Sequence, residues 1–221
     1  MKNKLGNAKA CKTFIKHGLV MVNNEVMKDY KYLVNQDDVI IYNGRQINAQ
    51  PFVYYMLNKP EGYICANKDV KEKCVVDLID CPECFCLGRL DRDTTGLLLL
   101  TNDASLSKRL LLPQNHVQKK YLVKTREGLK EELVKIFKLG VVIDREIKCL
   151  PSDLEIIDEN HCFITINEGK YHQIKKMFLS CDNEVIMLKR VEFSGIKLDE
   201  GLLPGQYRSL TNSEINLLLK Q

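Results

Sequence analysis

The segment that decides the fold is Gly88-Arg89-Leu90-Asp91-Arg92-Asp93-Thr94-Thr95-Gly96, followed directly by Leu97-Leu98-Leu99-Leu100. Four consecutive leucines place apolar side chains on both faces of an extended strand, a pattern typical of a strand inside a sheet. The loop before them holds two carboxylates and two guanidiniums between glycines, and glycine allows the backbone conformations of tight turns. A charged loop fixed to a buried strand can hold one carboxylate in place, as a catalytic acid, base or nucleophile requires.

The composition is that of an ordinary globular protein of one or two domains. The chain has 221 residues, of which 45% are hydrophobic. The sequence contains no run of about twenty apolar residues, so we expect no membrane span. Residues 1–6 lack the apolar core of a secretory signal. Nine cysteines, an odd number scattered along the chain, favour free thiols in a reducing compartment, so we expect a cytoplasmic protein.

The net charge of +4 is confined to the beginning of the chain. Residues 1–50 contain eight Lys/Arg and four Asp/Glu, whereas residues 51–221 contain 25 of each. A basic head on a neutral body indicates a module that binds a polyanion. A lysine face that contacts only solvent is the alternative.

The head is predicted to be a small α/β unit. Residues 8–17 have the pattern of a helix with its lysines on one side. Two short apolar runs around Asn23-Asn24 predict a hairpin, because asparagine tolerates the positive φ of a tight turn. A further strand is predicted at residues 38–42.

This helix-then-hairpin order resembles the small RNA-binding domain named after ribosomal protein S-four. We expect a shortened version of this domain, because little sequence precedes Lys4 where the resemblance implies a full first helix. The resemblance implies that the helix binds RNA through its lysines, which are Lys9, Lys12 and Lys16. We expect this domain over residues 1–46 and a linker at 47–51.

Residues 52–221 are predicted to form one larger α+β domain. Strand and helix patterns are mixed without strict alternation, which predicts a mainly antiparallel mixed sheet flanked by helices. The apolar stripe of one predicted helix consists of Leu129, Leu133, Ile136 and Phe137. The capping box Thr211-Asn212-Ser213-Glu214 predicts the start of the last helix.

Three segments of this larger domain have the features of an active site. They are residues 88–101, Lys119-Lys120-Tyr121-Leu122-Val123 and Asn167-Glu168-Gly169-Lys170-Tyr171-His172-Gln173-Ile174-Lys175-Lys176-Met177-Phe178. In this order and at these separations, they resemble the pseudouridine synthases of the small-subunit rRNA type. The resemblance covers about residues 52–219 and implies an isomerase that converts one uridine of 16S rRNA to pseudouridine. Relatives that act on 23S rRNA are the alternative.

The resemblance also implies three catalytic residues. Asp91 is the catalytic carboxylate, Tyr121 stacks on the uracil, and Lys175 supplies the positive charge that keeps a buried carboxylate ionised. The reaction breaks the glycosidic carbon–nitrogen bond and joins the sugar to carbon-5 of the same base. No redox change occurs, so we expect neither a cofactor nor a metal. Asp91 either attacks the anomeric carbon or removes the 2′ proton, and Asp93 is the competing carboxylate.

The target base lies in folded RNA and must leave its stack before a catalytic group can reach it. The resemblance implies that Arg89 fills the vacated space. The other candidate RNA ligands are Arg92, Lys119, Lys120, His172, Gln173, Lys176 and Arg190. A solvated surface charge is the alternative for each basic residue. We expect the protein to act as a monomer on rRNA or on a small-subunit assembly intermediate.

Three further interpretations are weaker. The segment Cys81-Pro82-Glu83-Cys84-Phe85-Cys86 has cysteine spacing like that of a zinc site but lacks a second paired cluster. Asp91 and Asp93 could suggest a glycoside hydrolase, but residues two apart on a turn need not face each other across a substrate. The third is a ribosome-binding factor without catalysis. The simultaneous presence of Asp91, Tyr121 and Lys175 favours the enzyme.

Overall fold

The computed structural model describes residues 5–32, 34, 38–47 and 52–220. The chain divides into two compact units, of which the first ends at Phe52 and the second begins at Val53. No helix among the described residues is long and apolar enough to cross a membrane.

The described residues of the first unit form one helix and a four-stranded antiparallel sheet in the order β2-β1-β3-β4. Its elements are α1 (Ala8–Lys16), β1 (Val20–Val22), β2 (Glu25–Val26), β3 (Ile40–Tyr42) and β4 (Arg45–Ile47). The side chain of Asn7 caps α1 by accepting a 3.0 Å hydrogen bond from the backbone of Ala10. Asn23 and Asn24 form the predicted hairpin turn with φ of 50° and 70°. The predicted helix and hairpin are thus present.

The sheet of the first unit continues further than the sequence pattern indicated. Ile47, where the predicted linker begins, pairs with Ile40 as the last residue of β4. Residues 48–51, the rest of that linker, lie outside the described residues. The bounds 1–46 and 52–221 remain a prediction.

A nine-stranded sheet organises the second unit, with the order β11-β12-β8-β13-β7-β5-β15, β14 beside β13 and β6 beside β7. The strands of this unit are β5 (Tyr54–Lys59), β6 (Phe85–Leu87), β7 (Thr95–Thr101), β8 (Lys119–Thr125), β9 (Val142–Ile143), β10 (Ile147–Lys148), β11 (Asp153–Ile156), β12 (His161–Ile166), β13 (Val185–Phe193), β14 (Ile196–Lys197) and β15 (Tyr207–Ser209). Strands β7 and β13 are parallel, and the other neighbours in this sheet are antiparallel. The predicted α+β class is confirmed.

The leucine run occupies the middle of this sheet. Strand β7 lies between β5 and β13, and all four leucines are at most 1% exposed. Because side chains alternate along a strand, Leu98 and Leu100 join one apolar cluster while Leu97 and Leu99 join a second. Each buried leucine contributes about 2 kcal/mol through the area it removes from water. This anchored strand fixes the position of the loop that precedes it.

Four helices complete the second unit. They are α2 (Ala104–Leu110), α3 (Glu132–Leu139), α4 (Gln173–Leu179) and α5 (Asn212–Leu219). The capping box at the start of α5 is confirmed, since Thr211 and Glu214 bond reciprocally. The predicted stripe of α3 is wrong at Ile136, which is 43% exposed. The helix buries Leu133 and Phe137 as predicted, because this four-residue spacing keeps both side chains on one face. Leu129 precedes the first residue of the helix, Glu132.

Candidate active site

The loop that carries Asp91 is held by backbone hydrogen bonds and by a buried lysine. The amide of Gly62 donates to the carbonyl of Arg92 at 2.8 Å, and the amide of Thr94 donates to the carbonyl of Asp91 at 3.1 Å. Lys59, at the end of β5, is fully buried and donates from Nζ to the carbonyls of Arg92 and Thr94 at 3.2 and 2.8 Å. Burial lowers the pKa of Lys59. Its hydrogen bonds fix both sides of Asp93 in the loop.

Asp91 lies in a cleft of about 1130 Å³ that all three motif segments help to form. Arg89 and Leu90 come from the first segment, Tyr121 comes from β8, and His172 comes from the start of α4. His172 has a φ of 53°, a left-handed conformation that is uncommon outside glycine. This turn places the side chain of His172 opposite the Asp91 loop.

Two basic side chains approach the Asp91 carboxylate. Lys175 Nζ lies 3.6 Å from Asp91 Oδ2, and His172 Nε2 lies 3.6 Å from Asp91 Oδ1. Lys175 contacts Asp93 more closely, at 2.6 and 2.7 Å from its two carboxylate oxygens. Burial raises the pKa of Asp93, but the hydrogen bond and charge of Lys175 outweigh it and leave that pKa below its usual range. One lysine therefore serves both carboxylates of the loop.

Tyr121 lies in the same cleft and is 7% exposed. It sits in the middle of β8, where its neighbours across the sheet are Ile164 on β12 and Arg190 on β13. Because both neighbouring strands hold β8, the ring has a fixed position. The structure thus brings together Asp91 and Tyr121 in one cleft, with Lys175 in reach of Asp91.

The predicted RNA ligands of the second unit separate into two groups. The residues of the first group line the cleft, and they are Arg89, Lys119, His172, Gln173 and Arg190. Gln173 is 4% exposed, and its side chain bonds the backbone of Lys170 and the carboxylate of Glu168, at 2.9 and 2.8 Å. These contacts give the Gln173 amide a structural role.

The other group makes ion pairs away from the cleft lining. Arg92 lies 3.3 Å from Glu72. Lys120 lies 3.2 Å from Glu155, and Lys176 pairs with Asp144. The Arg92 side chain remains 62% exposed. An exposed ion pair of this kind contributes little to stability, so Arg92 remains free to exchange its partner for a phosphate.

Lys119 differs from the surface lysines. It lines the cleft and donates from Nζ to the backbone carbonyls of Val117 and Glu168, at 2.7 and 3.5 Å. Burial and the nearby charge of Arg190 lower the pKa of Lys119 to about 8. This ammonium is therefore deprotonated more easily than that of an ordinary lysine.

The three lysines predicted to bind RNA in the first unit lie along α1. Lys9, Lys12 and Lys16 are exposed. The ring of Tyr30 lies 4.7 Å from Lys12 Nζ and 5.8 Å from Lys16 Nζ. The helix thus presents three ammonium groups with an exposed aromatic ring beside two of them.

Sequence reasoning missed three features of the cleft. Lys59 was not identified as the residue that fixes the Asp91 loop, Cys65 was not placed in the cleft, and Tyr171 was not singled out as an aromatic residue there. The ring of Tyr171 is stacked on His172 with 3.9 Å between centroids, and Tyr171 is 73% exposed. The signal in the sequence that could have identified Tyr171 is its position directly before a basic residue of the motif.

Comparison with known proteins identifies the class to which this fold and cleft belong. Residues 53–180 match the family model described as RNA pseudouridylate synthase, and residues 4–40 match the S4 domain. The chain belongs to the RNA pseudouridylate synthase family, and it is therefore a pseudouridine synthase. The predicted family and enzyme class are confirmed.

Similar proteins extend over nearly the whole chain. The chain is 40% identical to a protein of Bacillus subtilis named uncharacterized RNA pseudouridine synthase YtzG, over 96% of this chain and 93% of that protein. It is 37% identical to ribosomal small subunit pseudouridine synthase A of Escherichia coli, over 91% of this chain and 89% of that protein. A crystal structure of a pseudouridylate synthase matches with a TM-score of 0.73 and 36% identity, over 96% of this chain and 93% of that chain.

Proposed function

We propose that this protein converts one uridine of 16S rRNA to pseudouridine, with Asp91 as the catalytic carboxylate. The observation that carries the proposal is the position of Asp91 in a cleft beside Tyr121, with Lys175 and His172 each 3.6 Å from its carboxylate oxygens. A carboxylate with a basic group beside each of its oxygens has a fixed orientation, as a nucleophile or base requires.

Similar proteins support the choice of RNA. Relatives in Escherichia coli and Haemophilus influenzae, at 37% and 36% identity, are named for the ribosomal small subunit. The matched regions include the S4 domain as well as the catalytic domain. We therefore take 16S rRNA, alone or within an assembly intermediate, as the substrate.

The reaction is an isomerisation, so every atom of the uridine remains in the product. The bond between C1′ and N1 breaks, the uracil turns within the cleft, and C5 forms a bond to C1′. Asp91 starts the reaction, either by attacking C1′ or by removing the 2′ proton. When C5 bonds to C1′, the bond from Asp91 to C1′ breaks or the 2′ proton is returned, depending on how Asp91 began the reaction. The proton on C5 leaves last and N1 takes up a proton, and the hydroxyl of Tyr121 is a candidate to direct the removal of the C5 proton. No step requires a redox cofactor or a metal.

The RNA has to present its uridine to the cleft. A base in folded RNA reaches Asp91 only after it leaves its stack. Arg89 is exposed and lines the cleft, so its side chain is suited to occupy the vacated space. The lysines of α1 bind phosphates elsewhere on the same RNA.

The test uses 16S rRNA transcript, 23S rRNA transcript and small-subunit assembly intermediates. Each is incubated with the protein or with Asp91→Asn, and pseudouridine is located by carbodiimide modification and primer extension. We expect one new pseudouridine in 16S rRNA or its assembly intermediate, and none with Asp91→Asn. Modification of 23S rRNA alone would overturn the choice of RNA. RNA binding without any modification would favour a ribosome-binding factor.

A further inference from the structure

Two buried polar atoms in the cleft are left without a partner by the protein. Arg190 and Thr94 line the cleft, and each is 1% exposed. Arg190 Nη2 and Thr94 Oγ1 have no hydrogen-bond partner among the described residues. Buried polar groups in native proteins are nearly always hydrogen-bonded, so two unpaired atoms in one cleft point to a ligand that bonds them.

The sheet places Arg190 beside the predicted catalytic tyrosine, and it places Thr94 directly before the strand on the other side of Arg190. Arg190 is the direct neighbour of Tyr121 across strands β13 and β8. Thr94 immediately precedes β7, whose first residue, Thr95, pairs with Lys189. The Nε of Arg190 donates to the carbonyl of Leu97 at 2.7 Å. This bond fixes the guanidinium plane and leaves Nη2 for another acceptor.

The surroundings of Arg190 carry an excess of positive charge. None of the ion pairs within the described ranges involves Arg190. Its charge acts on the buried ammonium of Lys119, whose pKa is lowered by burial and by Arg190, while Glu168 partly compensates. It also acts on the thiol of Cys65. A buried cation without a carboxylate partner is costly, and an electron-rich ligand would offset that cost.

On the basis of the proposed function, we infer that Arg190 is a catalytic residue that binds the flipped uracil. Arg190 Nη2 donates a hydrogen bond to a carbonyl oxygen of the base, and Thr94 Oγ1 accepts one from the N3–H group beside it. A uracil edge offers such a pair of an acceptor and a donor. The phosphates instead meet exposed cations such as Arg92. Arg190 therefore has a different role from the phosphate contact predicted from the sequence.

The hydrogen bond from Arg190 becomes stronger as the reaction proceeds. When the C1′–N1 bond breaks, its electron pair remains on the uracil and spreads over O2 and O4. The guanidinium stays protonated and stabilises this negative charge until C5 bonds to C1′. An interaction that is stronger in the transition state than in the ground state increases kcat. Removal of one such donor typically lowers kcat by about 10²-fold to 10³-fold.

The experiment combines protein variants with modified RNA. Single-turnover rates are measured with RNA that contains uridine, 2-thiouridine or 4-thiouridine at the target position, because sulfur is a poorer hydrogen-bond acceptor than oxygen. The proteins are the wild type, Arg190→Lys, Thr94→Val and Ser194→Ala. Ser194 is the matched control, since it also has a buried, unpaired hydroxyl but does not line the cleft. Circular dichroism and thermal unfolding establish that each variant is folded.

We expect one of the two thio substitutions to lower the rate of the wild type at least about tenfold, which is the effect of losing a hydrogen bond from a charged donor. The same substitution should slow Arg190→Lys less than about twofold, because the bond is already missing there. Thr94→Val should lower the rate with uridine, and Ser194→Ala should match the wild type. If Arg190→Lys does not fold, the wild-type thio effect and Thr94→Val decide the inference.

Three results would overturn the inference. The first is a wild type that neither thio substitution slows. The second is a thio substitution that slows the wild type and Arg190→Lys by the same factor. Where Arg190→Lys does not fold, the corresponding result is a rate of Thr94→Val with uridine that equals the rate of the wild type. The third is weaker RNA binding by Arg190→Lys with an unchanged rate and a smaller salt dependence, which would assign Arg190 to a phosphate. A wild type inactive on every RNA would instead remove the proposed function, and the inference with it.

Discussion

Lys175 Nζ lies 2.6 Å from a carboxylate oxygen of Asp93 but 3.6 Å from the nearer carboxylate oxygen of Asp91. The closer partner is the more exposed one, since the side chains of Asp93 and Asp91 are 60% and 30% exposed. Ion pairs with exposed carboxylates are weak because water competes for both charges. Lys175 can therefore shift toward Asp91 at little cost when RNA excludes water from the cleft.

This relationship predicts different outcomes for the two aspartates. Asp91→Asn should abolish turnover and leave RNA affinity within about threefold, because the amide replaces the proposed catalytic carboxylate without changing its size. Asp93→Asn should retain turnover within about tenfold, because Lys175 keeps Asp91 as a partner. The measurement is single-turnover pseudouridine formation together with RNA binding by filter retention. The roles would be exchanged if Asp93→Asn were the inactive variant.

The sequence predicted those parts of the site that lie within motifs. Asp91 and Tyr121 belong to separate motif segments, and strands β7 and β8 carry both to one cleft. The pairing of Lys175 with Asp93 was not predicted, because it depends on side-chain positions across 82 residues of chain. Lys59 was missed for a similar reason, since its role consists of hydrogen bonds to backbone carbonyls 33 and 35 residues away.

The fold shows the same division between local pattern and tertiary packing. The leucine run predicted an internal strand because alternation places Leu97 and Leu98 in different apolar clusters. The neighbours of that strand were not predictable from it. Strand β13 changes register against β8 between Arg190 and Glu192, and this irregularity has no signal in the pattern of hydrophobic residues. Burial of Arg190 therefore became visible only in the structure.

The lysines of α1 should contribute to RNA affinity through charge. Replacement of Lys9, Lys12 and Lys16 by alanine in the full chain should weaken binding at low salt. The slope of log affinity against log salt should decrease by about 2 to 3, because each phosphate contact contributes about 0.7 to 0.9. Replacement of Lys130, Lys135 and Lys138 in and beside α3 serves as the control with the same change in charge. Equal slopes for both triple variants would assign no RNA contact to α1.

Gly96 should be essential for the pairing of β7 with β13. Its φ is +96°, and a Cβ there would lie 2.3 Å from the carbonyl oxygen of Arg190. Gly96→Ala should therefore lower the free energy of unfolding by about 3 kcal/mol, since it adds backbone strain to a steric clash. Gly169→Ala is the control, because no atom lies within 4 Å of a Cβ at that position. Urea denaturation measures both, and equal midpoints would contradict the prediction.

The thiol of Cys65 should be unusually reactive. A hydrogen bond with Cys86 lowers the pKa of Cys65 to about 6 against the effect of burial, and the amide of Leu90 and the charge of Lys59 assist. Cys65 lines the cleft, where a small reagent has access. Labelling by iodoacetamide should reach half of its maximal rate near pH 6, whereas an ordinary cysteine does so near about 8.5.

Mass spectrometry of the labelled peptides locates the reactive thiol among the nine cysteines. Cys86→Ser is the informative variant, because a serine hydroxyl changes the hydrogen bond that has the largest effect on Cys65. The labelling midpoint of Cys65 should then move to higher pH. A midpoint near pH 8.5 in the wild type would show that Cys65 is an ordinary thiol.

Lys119 should make RNA binding depend on pH near 8. Its ammonium is charged below a pKa of about 8, which burial and Arg190 lower, and loses its proton above it. RNA affinity of the wild type should decrease as pH rises through this value, because one cation of the cleft disappears. Lys119→Met, which lacks the charge at every pH, should bind more weakly at pH 7 and show no change between pH 7 and 9.

The lowered pKa of Lys119 should also affect the free energy of unfolding, which changes with pH in the direction opposite to RNA affinity. The pKa of Lys119 is about 8 in the folded protein and about 10.4 in the unfolded chain. Between these values the unfolded chain binds more protons, so the contribution of Lys119 to the free energy of unfolding increases with pH. Below pH 8 both states are protonated, and burial of the charge reduces stability by a constant amount.

The difference in free energy of unfolding between the wild type and Lys119→Met should therefore be constant below pH 8 and increase in favour of the wild type from pH 8 to 10. A difference that stayed constant over the whole range would show that Lys119 keeps its ordinary pKa in the folded protein, and the expected change in RNA affinity near pH 8 would then have no basis.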